Sequence, residues 1–360
     1  MDPIAHTLVG GALAQTGLAR KTRWGAAALI IGANLPDIDG LAYFWGGDAG
    51  LHFRRGWTHG LPAVVVLPLI LAAALYFIGR LRPGGTAKFQ NLLLVSTIGV
   101  ATHPVLDWLN TYGMRWLMPF NSRWFYGDSL FIIDPWIWLI LGGAVFLGHS
   151  TSRSHLIGWG ALAGLMSLLM LGSVPGLVVA KTLWLVALVA LVLCRILWPL
   201  PGGAKSRLAI TALAATTVYI VLMVSSARYG REVVVNELRR QGFDVVDLMV
   251  GPVPINPFIR DVLVATPESY RYGSLELFPR VELRLEPSEI RRPRNSRLMD
   301  EALLSPQVRG FKNWVRFPFV ELEKVPSGCV IHVMDARYTR ARSRGFGAVS
   351  ISTNEPCPLF

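Results

Sequence analysis

Apolar residues run in blocks of helical length through the first two thirds of the chain and in short alternating stretches through the last third. Two shorter blocks, at about 4–19 and 23–35, are separated by Arg20, Lys21 and Arg23, and longer ones follow at about 61–79, 91–110, 131–148, 156–172, 179–199 and 208–226. A bilayer core about 30 Å thick needs about 20 residues of helix, so the six later blocks predict membrane spans and the first two a helical hairpin of marginal length. Gly and Pro inside the blocks do not veto helix, because neighbouring helices satisfy the backbone groups they free. From Arg228 onward the pattern changes. A helix is predicted at about 228–241, followed by strand-like runs near 244–250, 260–266, 270–278, 280–285, 317–324, 329–336 and 346–352. The expected fold is an α-helical polytopic membrane domain over 1–227, followed by a soluble α+β domain with antiparallel sheet over 228–360.

Composition supports the division. With 52% hydrophobic and 16% charged residues among 360, and a mean hydropathy of +0.43, the chain is too apolar for a soluble globular protein. The net charge of +12 would suit nucleic acid, but the basic residues of the apolar part sit in short loops, where they set orientation; no nucleic-acid partner is expected. If the 20–23 turn is cytoplasmic, Arg80, Arg82, Lys88, Arg153, Arg195, Lys205 and Arg207 fall on the same side. That side then holds ten basic residues, against five (Arg54, Arg55, Arg115, Arg123 and Lys181) opposite. An integral protein of a bacterial inner membrane is expected, with the N-terminus and the C-terminal domain both outside. Cys194 lies in an apolar run, whereas Cys329 and Cys357 share the soluble domain and can pair only if it is extracytoplasmic. The N-terminal block has Asp2 where a signal peptide carries Lys or Arg, so it is expected to be retained.

The candidate chemistry lies in the first 107 residues, where His6, Asp37, Asp39, His59, His103 and Asp107 interrupt otherwise apolar stretches. An Asp at mid-helix in a membrane costs roughly 2.5–3.5 kcal/mol, so such a cluster needs a partner that returns the energy. A divalent cation would do so. In His103-Pro-Val-Leu-Asp107 the i, i+4 spacing puts both side chains on one helix face, although the two could also satisfy each other without metal. In Asn34-Leu-Pro-Asp37-Ile-Asp39, Pro36 ends the preceding helix, and two carboxylates in an interfacial loop could hold one or two ions, with one of them serving as general base. Arg54-Arg55-Gly-Trp-Thr58-His59 offers an imidazole and, in Arg54 and Arg55, candidate grips for an anionic substrate; interfacial anchoring is the plainer alternative. Asp134 before Pro135 fits a helix cap better than a ligand.

Together MDPIAHTLVGGAL, NLPDID, RRGWTH, THPVLDWLNTYG and PFNSRWFYGDSLFIIDP resemble the YdjM-type family of membrane-bound metal-dependent hydrolases over about residues 1–150. The order His, Asp, His, His-x-x-x-Asp is also remotely similar to that of zinc-dependent phospholipase C. That likeness would imply a multi-zinc phosphodiesterase centre, although the downstream His and Glu ligands of those enzymes have no obvious counterpart here.

The function expected is metal-dependent hydrolysis at the outer membrane interface, on a phosphoester of a lipid or lipid-linked substrate. The mixed nitrogen and oxygen donors favour Zn²⁺, as one or two ions. The alternative is a non-enzymatic membrane protein with a structural metal site or an ion or proton pathway.

Overall fold

The computed structural model describes all residues except 83–86, 151, 174–177, 198–203, 293–303, 306–307, 340–345, 355 and 358–360. A helical N-terminal region is followed by a domain with antiparallel sheets, as the hydropathy pattern predicts. The helices are α1 (Pro3–Gln15), α2 (Gly25–Asn34), α3 (Gly47–Phe53), α4 (Leu61–Leu81), α5 (Phe89–Trp108), α6 (Pro135–His149), α7 (Arg153–Ser173), α8 (Val178–Leu197), α9 (Ala204–Arg240) and α10 (Arg309–Trp314). Among the described residues α4, α5, α7, α8 and α9 are long and apolar enough to cross a membrane. The block expected as a span at 131–148 is shorter, because Asp134 accepts from the backbone N–H groups of Trp136 and Ile137 and Pro135 takes the first helical position, starting α6 four residues late. The separate helices expected at 208–226 and 228–241 are one helix, α9, since nothing between them breaks helical geometry.

By its contacts the chain divides into two units. One comprises Met1–Ile38, Arg55–Ser226 and Pro252–Pro257; the other comprises Asp39–Arg54, Ala227–Gly251 and Phe258–Phe360. The 39–54 segment, read from the sequence as part of the membrane domain, thus groups with the C-terminal residues. Asp48 accounts for this: its carboxylate caps α10 by accepting from the backbone N–H groups of Gly310 (2.7 Å) and Phe311 (3.1 Å).

In the first unit, two apolar clusters hold the helices. Ala28, Leu29, Leu71, Leu75, Leu92 and Val95 join α2, α4 and α5, while Leu8, Ala12, Ile137, Leu141, Trp184 and Met223 join α1, α6, α8 and α9. Backbones approach closely where side chains are absent. A Cβ on Gly10 of α1 would meet Ile30 Cα and Leu29 O of α2 at 2.8 Å, and one on Gly99 of α5 would meet Leu29 O at 2.8 Å. Small residues at such crossings are how membrane helices pack without a hydrophobic driving force between them.

The second unit contains a four-stranded sheet, β1 (Asp247–Pro252), β2 (Ile259–Ala265), β3 (Ser269–Glu276) and β4 (Glu282–Arg291), and a three-stranded sheet, β5 (Pro318–Val325), β6 (Gly328–Asp335) and β7 (Ala348–Thr353). Pairing is antiparallel from β2 to β4 and from β5 to β7. Leu263, Tyr270, Phe317, Phe319 and Met334 form a core between residues of both sheets. Cys329 and Cys357 form a disulfide.

Candidate metal centre

Four of the six ligand-type residues converge. One donor atom from each of Asp37, His59, His103 and Asp107 lies within 4.8 Å of every other. His103 and Asp107 share a face of α5, as their spacing predicts, with His103 Nε2 and Asp107 Oδ2 3.5 Å apart. Asp37 enters from the 3₁₀ stretch Leu35–Trp45 that directly follows α2, and His59 from the turn just before α4. All three imidazoles and Asp107 are fully buried, whereas the Asp37 side chain is 15% exposed.

The separations are those of a tetrahedral cation site. His59 Nε2 lies 3.2 Å from His103 Nε2, 3.7 Å from Asp37 Oδ1 and 3.3 Å from Asp107 Oδ2, and His103 Nε2 lies 3.5 Å from Asp37 Oδ1. Ligands at about 2.0–2.1 Å from a tetrahedral Zn²⁺ stand about 3.3–3.4 Å from one another. Tautomer chemistry agrees with the distances. His103 Nδ1 is 2.7 Å from the carbonyl oxygen of Ala33, which can only accept, so the ring donates there and, when neutral, presents a lone pair at Nε2. That lone pair faces two carboxylate oxygens at 3.5 Å, an arrangement of acceptors that a cation resolves. A ligand imidazole anchored through its second nitrogen to a backbone carbonyl is also the usual outer support of a metal site. The residues therefore fit a divalent ion.

The remaining sequence candidates have other places. His6 stacks on His103, with ring centroids 3.7 Å apart and planes inclined by 13°. Its Nε2 is 3.2 Å from Asp107 Oδ1, the oxygen that also accepts from the amino group of Met1. Asp39 is not among the four converging residues; its carboxylate is paired with Arg54. The 3₁₀ geometry accords with this, since residues two apart are rotated by about 240° at three residues per turn and project to different sides.

Arg55, expected to grip substrate, is 1% exposed. It forks onto Asp107, with Nε 2.8 Å from Oδ2 and Nη2 3.1 Å from Oδ1, and donates from Nη1 to Asn110 Oδ1 (2.9 Å) and the carbonyl of Gly113 (3.1 Å). The sequence reading missed this support, along with Thr58, whose hydroxyl is 2.9 Å from His59 Nδ1, and the Ala33 carbonyl. Asn110 and Thr58 left a signal, since each stands in a motif already singled out, Asn110 one turn past Asp107 and Thr58 beside His59.

Beside the centre, Pro3, Ile31, Leu35, Ile38 and Asp37 line an open cleft of about 470 Å³. Asp37 is the one carboxylate in its otherwise mostly apolar wall. The Gly99 crossing sets the Ala33 carbonyl against His103. Gly99→Leu is therefore expected to force α2 and α5 apart, remove that hydrogen bond and weaken metal binding by about 10–100-fold, the usual loss when an outer-shell partner is removed. Titration of the metal-free variant with Zn²⁺ measures it.

Residues 1–175 match the family model described as YdjM inner membrane protein, so the resemblance read from the motifs holds over the residues that carry the candidate centre. A Bacillus subtilis (strain 168) protein described as "Uncharacterized protein YfhP" is 30% identical over 112 residues, which are 31% of this chain and 33% of that protein. The chain thus spans about a third of that relative's length. No solved structure matches, and the remote likeness to zinc-dependent phospholipase C finds no support among these comparisons.

Proposed function

We propose that this integral membrane protein, whose first 175 residues match the YdjM inner membrane family, is a metal-dependent hydrolase. It works at the outer membrane interface on a phosphoester of a lipid or lipid-linked substrate. The observation that supports this best is the donor geometry: two imidazole nitrogens and two carboxylates at tetrahedral separations, with only Asp37 reaching an open cleft. A structural site is closed by its ligands, whereas a catalytic one keeps an approach.

His59, His103 and Asp107 would hold a Zn²⁺ ion with the cleft-side position beside Asp37 left to water, and the ion would polarise a phosphoryl oxygen and lower the pKa of that water toward about 7. Everything else falls to the chain. Arg55 holds Asp107 in one orientation and, with the ion, leaves positive charge in excess, matched to an anionic group. His6 packs against His103 and fixes its ring plane. Asp37, at the cleft, receives the proton of the attacking water, and the apolar wall formed by Pro3, Ile31, Leu35 and Ile38 takes the acyl part of the substrate.

The test is turnover of fluorescent phosphoester lipids by protein purified in detergent, with and without chelator. Chelation is expected to abolish hydrolysis and Asp37→Asn to lower it by at least about a hundredfold, the low end of what a positioned general base contributes. Protein that carries stoichiometric metal and hydrolyses no phosphoester would instead favour a metal that only staples the helices.

The disulfide supports an extracytoplasmic C-terminal domain, since such bonds persist in oxidising compartments. In unfolded, unreduced protein one of the three cysteines, Cys194, is expected to react with maleimide. Reduction should raise the number to three. Three reactive thiols before reduction would place the domain in the cytoplasm.

A further inference from the structure

A second cavity of about 630 Å³ lies among α1, α6, α7 and α8, walled by apolar residues such as Leu8, Trp138, Trp159, Met166 and Trp184, with Arg195 at its rim. It is separate from the metal centre. Ile4 and Leu8 line it from one side of α1, whereas His6, two residues from each, lies on the opposite side of the helix against His103.

Arg195 stands at the far end of this helical unit. Its Nη2 donates to the carbonyl of Ser150 (2.7 Å), which closes α6 at the end away from Asp134. Its side chain is only half-buried, and the Ser150 carbonyl is its one hydrogen-bond partner among the described residues. No Asp or Glu occurs between Asp134 and Glu232, so the helices forming this end supply no carboxylate. Other basic residues gather there instead. Ser206 Oγ donates to the Thr16 carbonyl (2.8 Å), which brings Lys205 and Arg207 to the end of α1 that leads into Arg20 and Lys21.

A guanidinium with a single acceptor, at the mouth of an apolar cavity and within a basic rim, matches one amphipathic molecule available in a bilayer. We propose that this cavity binds an anionic phospholipid, with one acyl chain between α1, α6, α7 and α8 and the phosphate accepting from Arg195. Its headgroup lies in the leaflet opposite the metal centre, the leaflet where anionic lipids attract juxtamembrane Lys and Arg. A volume of this size falls within the usual range of ligand cavities, about 300–1,000 Å³.

Native mass spectrometry of the full-length protein in a mild detergent, incubated with phosphatidylglycerol or phosphatidylcholine, tests the assignment. One retained phosphatidylglycerol per chain is expected, in preference to phosphatidylcholine. Gly160→Phe should expel it, because a Cβ at Gly160 meets nothing within 4 Å and the ring fills the cavity. Arg195→Gln should keep a lipid but lose the headgroup preference by about fivefold, the contribution of one basic residue near an anionic surface. Bound metal serves as the measure of folding in both variants. Retention unchanged in Gly160→Phe overturns the cavity as the site; an unchanged preference in Arg195→Gln overturns the phosphate assignment.

Discussion

Replacing His103 with alanine is expected to leave the protein folded in detergent, without bound metal and without hydrolytic turnover. His103 Nε2 is the donor at the middle of the cluster, within 3.2–3.5 Å of His59, Asp37 and Asp107. The substitution deletes that donor and at the same time removes the stacking partner of His6 and the group bonded to the Ala33 carbonyl. Removal of an outer partner alone costs about 10–100-fold in affinity, so removal of a ligand with its support should exceed about a hundredfold. Metal analysis after gel filtration reads this directly. His332→Ala makes a matched control, because His332 pairs with Glu323 and Ser350 on the β5–β7 sheet and should leave metal content unchanged. Equal metal in wild type and His103→Ala would remove the basis for a hydrolytic centre.

Arg55→Leu is expected to act on stability before it acts on substrate. The guanidinium and the Asp107 carboxylate are both buried and share two close contacts, and Arg55 also lies over the Tyr112 ring at 4.5 Å. Deleting one partner of a buried pair strands the other charge and costs about 3–5 kcal/mol. Thermal unfolding in detergent should fall accordingly, and metal content should fall with it as Asp107 loses its orientation. Arg55→Lys keeps the charge but not the fork and should lie between the two. A raised KM with unchanged thermal stability would return Arg55 to the substrate-gripping role read from the sequence.

How far the residues announced this arrangement depends on the distance over which each acts. Five of the six expected spans, the Asp134–Pro135 helix start and the His103–Asp107 pair were legible because each follows from a few adjacent positions: hydropathy over about 20 residues, a capping dipeptide, an i, i+4 spacing. The orientation of Arg55 was not, because its partner lies 52 positions on, and a sequence does not distinguish an arginine turned to the headgroups from one folded onto a carboxylate. Asp37 and Asp39 looked equivalent for a similar reason. Only the folded structure separates them, and Pro36 signalled the end of a helix without specifying what followed it. The grouping of 39–54 with the C-terminal residues rests on Asp48 and α10, more than 260 positions apart, beyond any local pattern.

The ligand side chains and the fork that steadies them all come from residues 37–110, with His6 just upstream. Ribosomes deliver a chain from its N-terminus, so every one of these groups has left the tunnel and entered the bilayer while α7, α8 and the sheets are still being synthesised. An ion bound at this centre would thus be within reach of the nascent chain. Scarcity of metal would then be felt during insertion, as two carboxylates held close together with no cation between them, rather than after the finished molecule has been released.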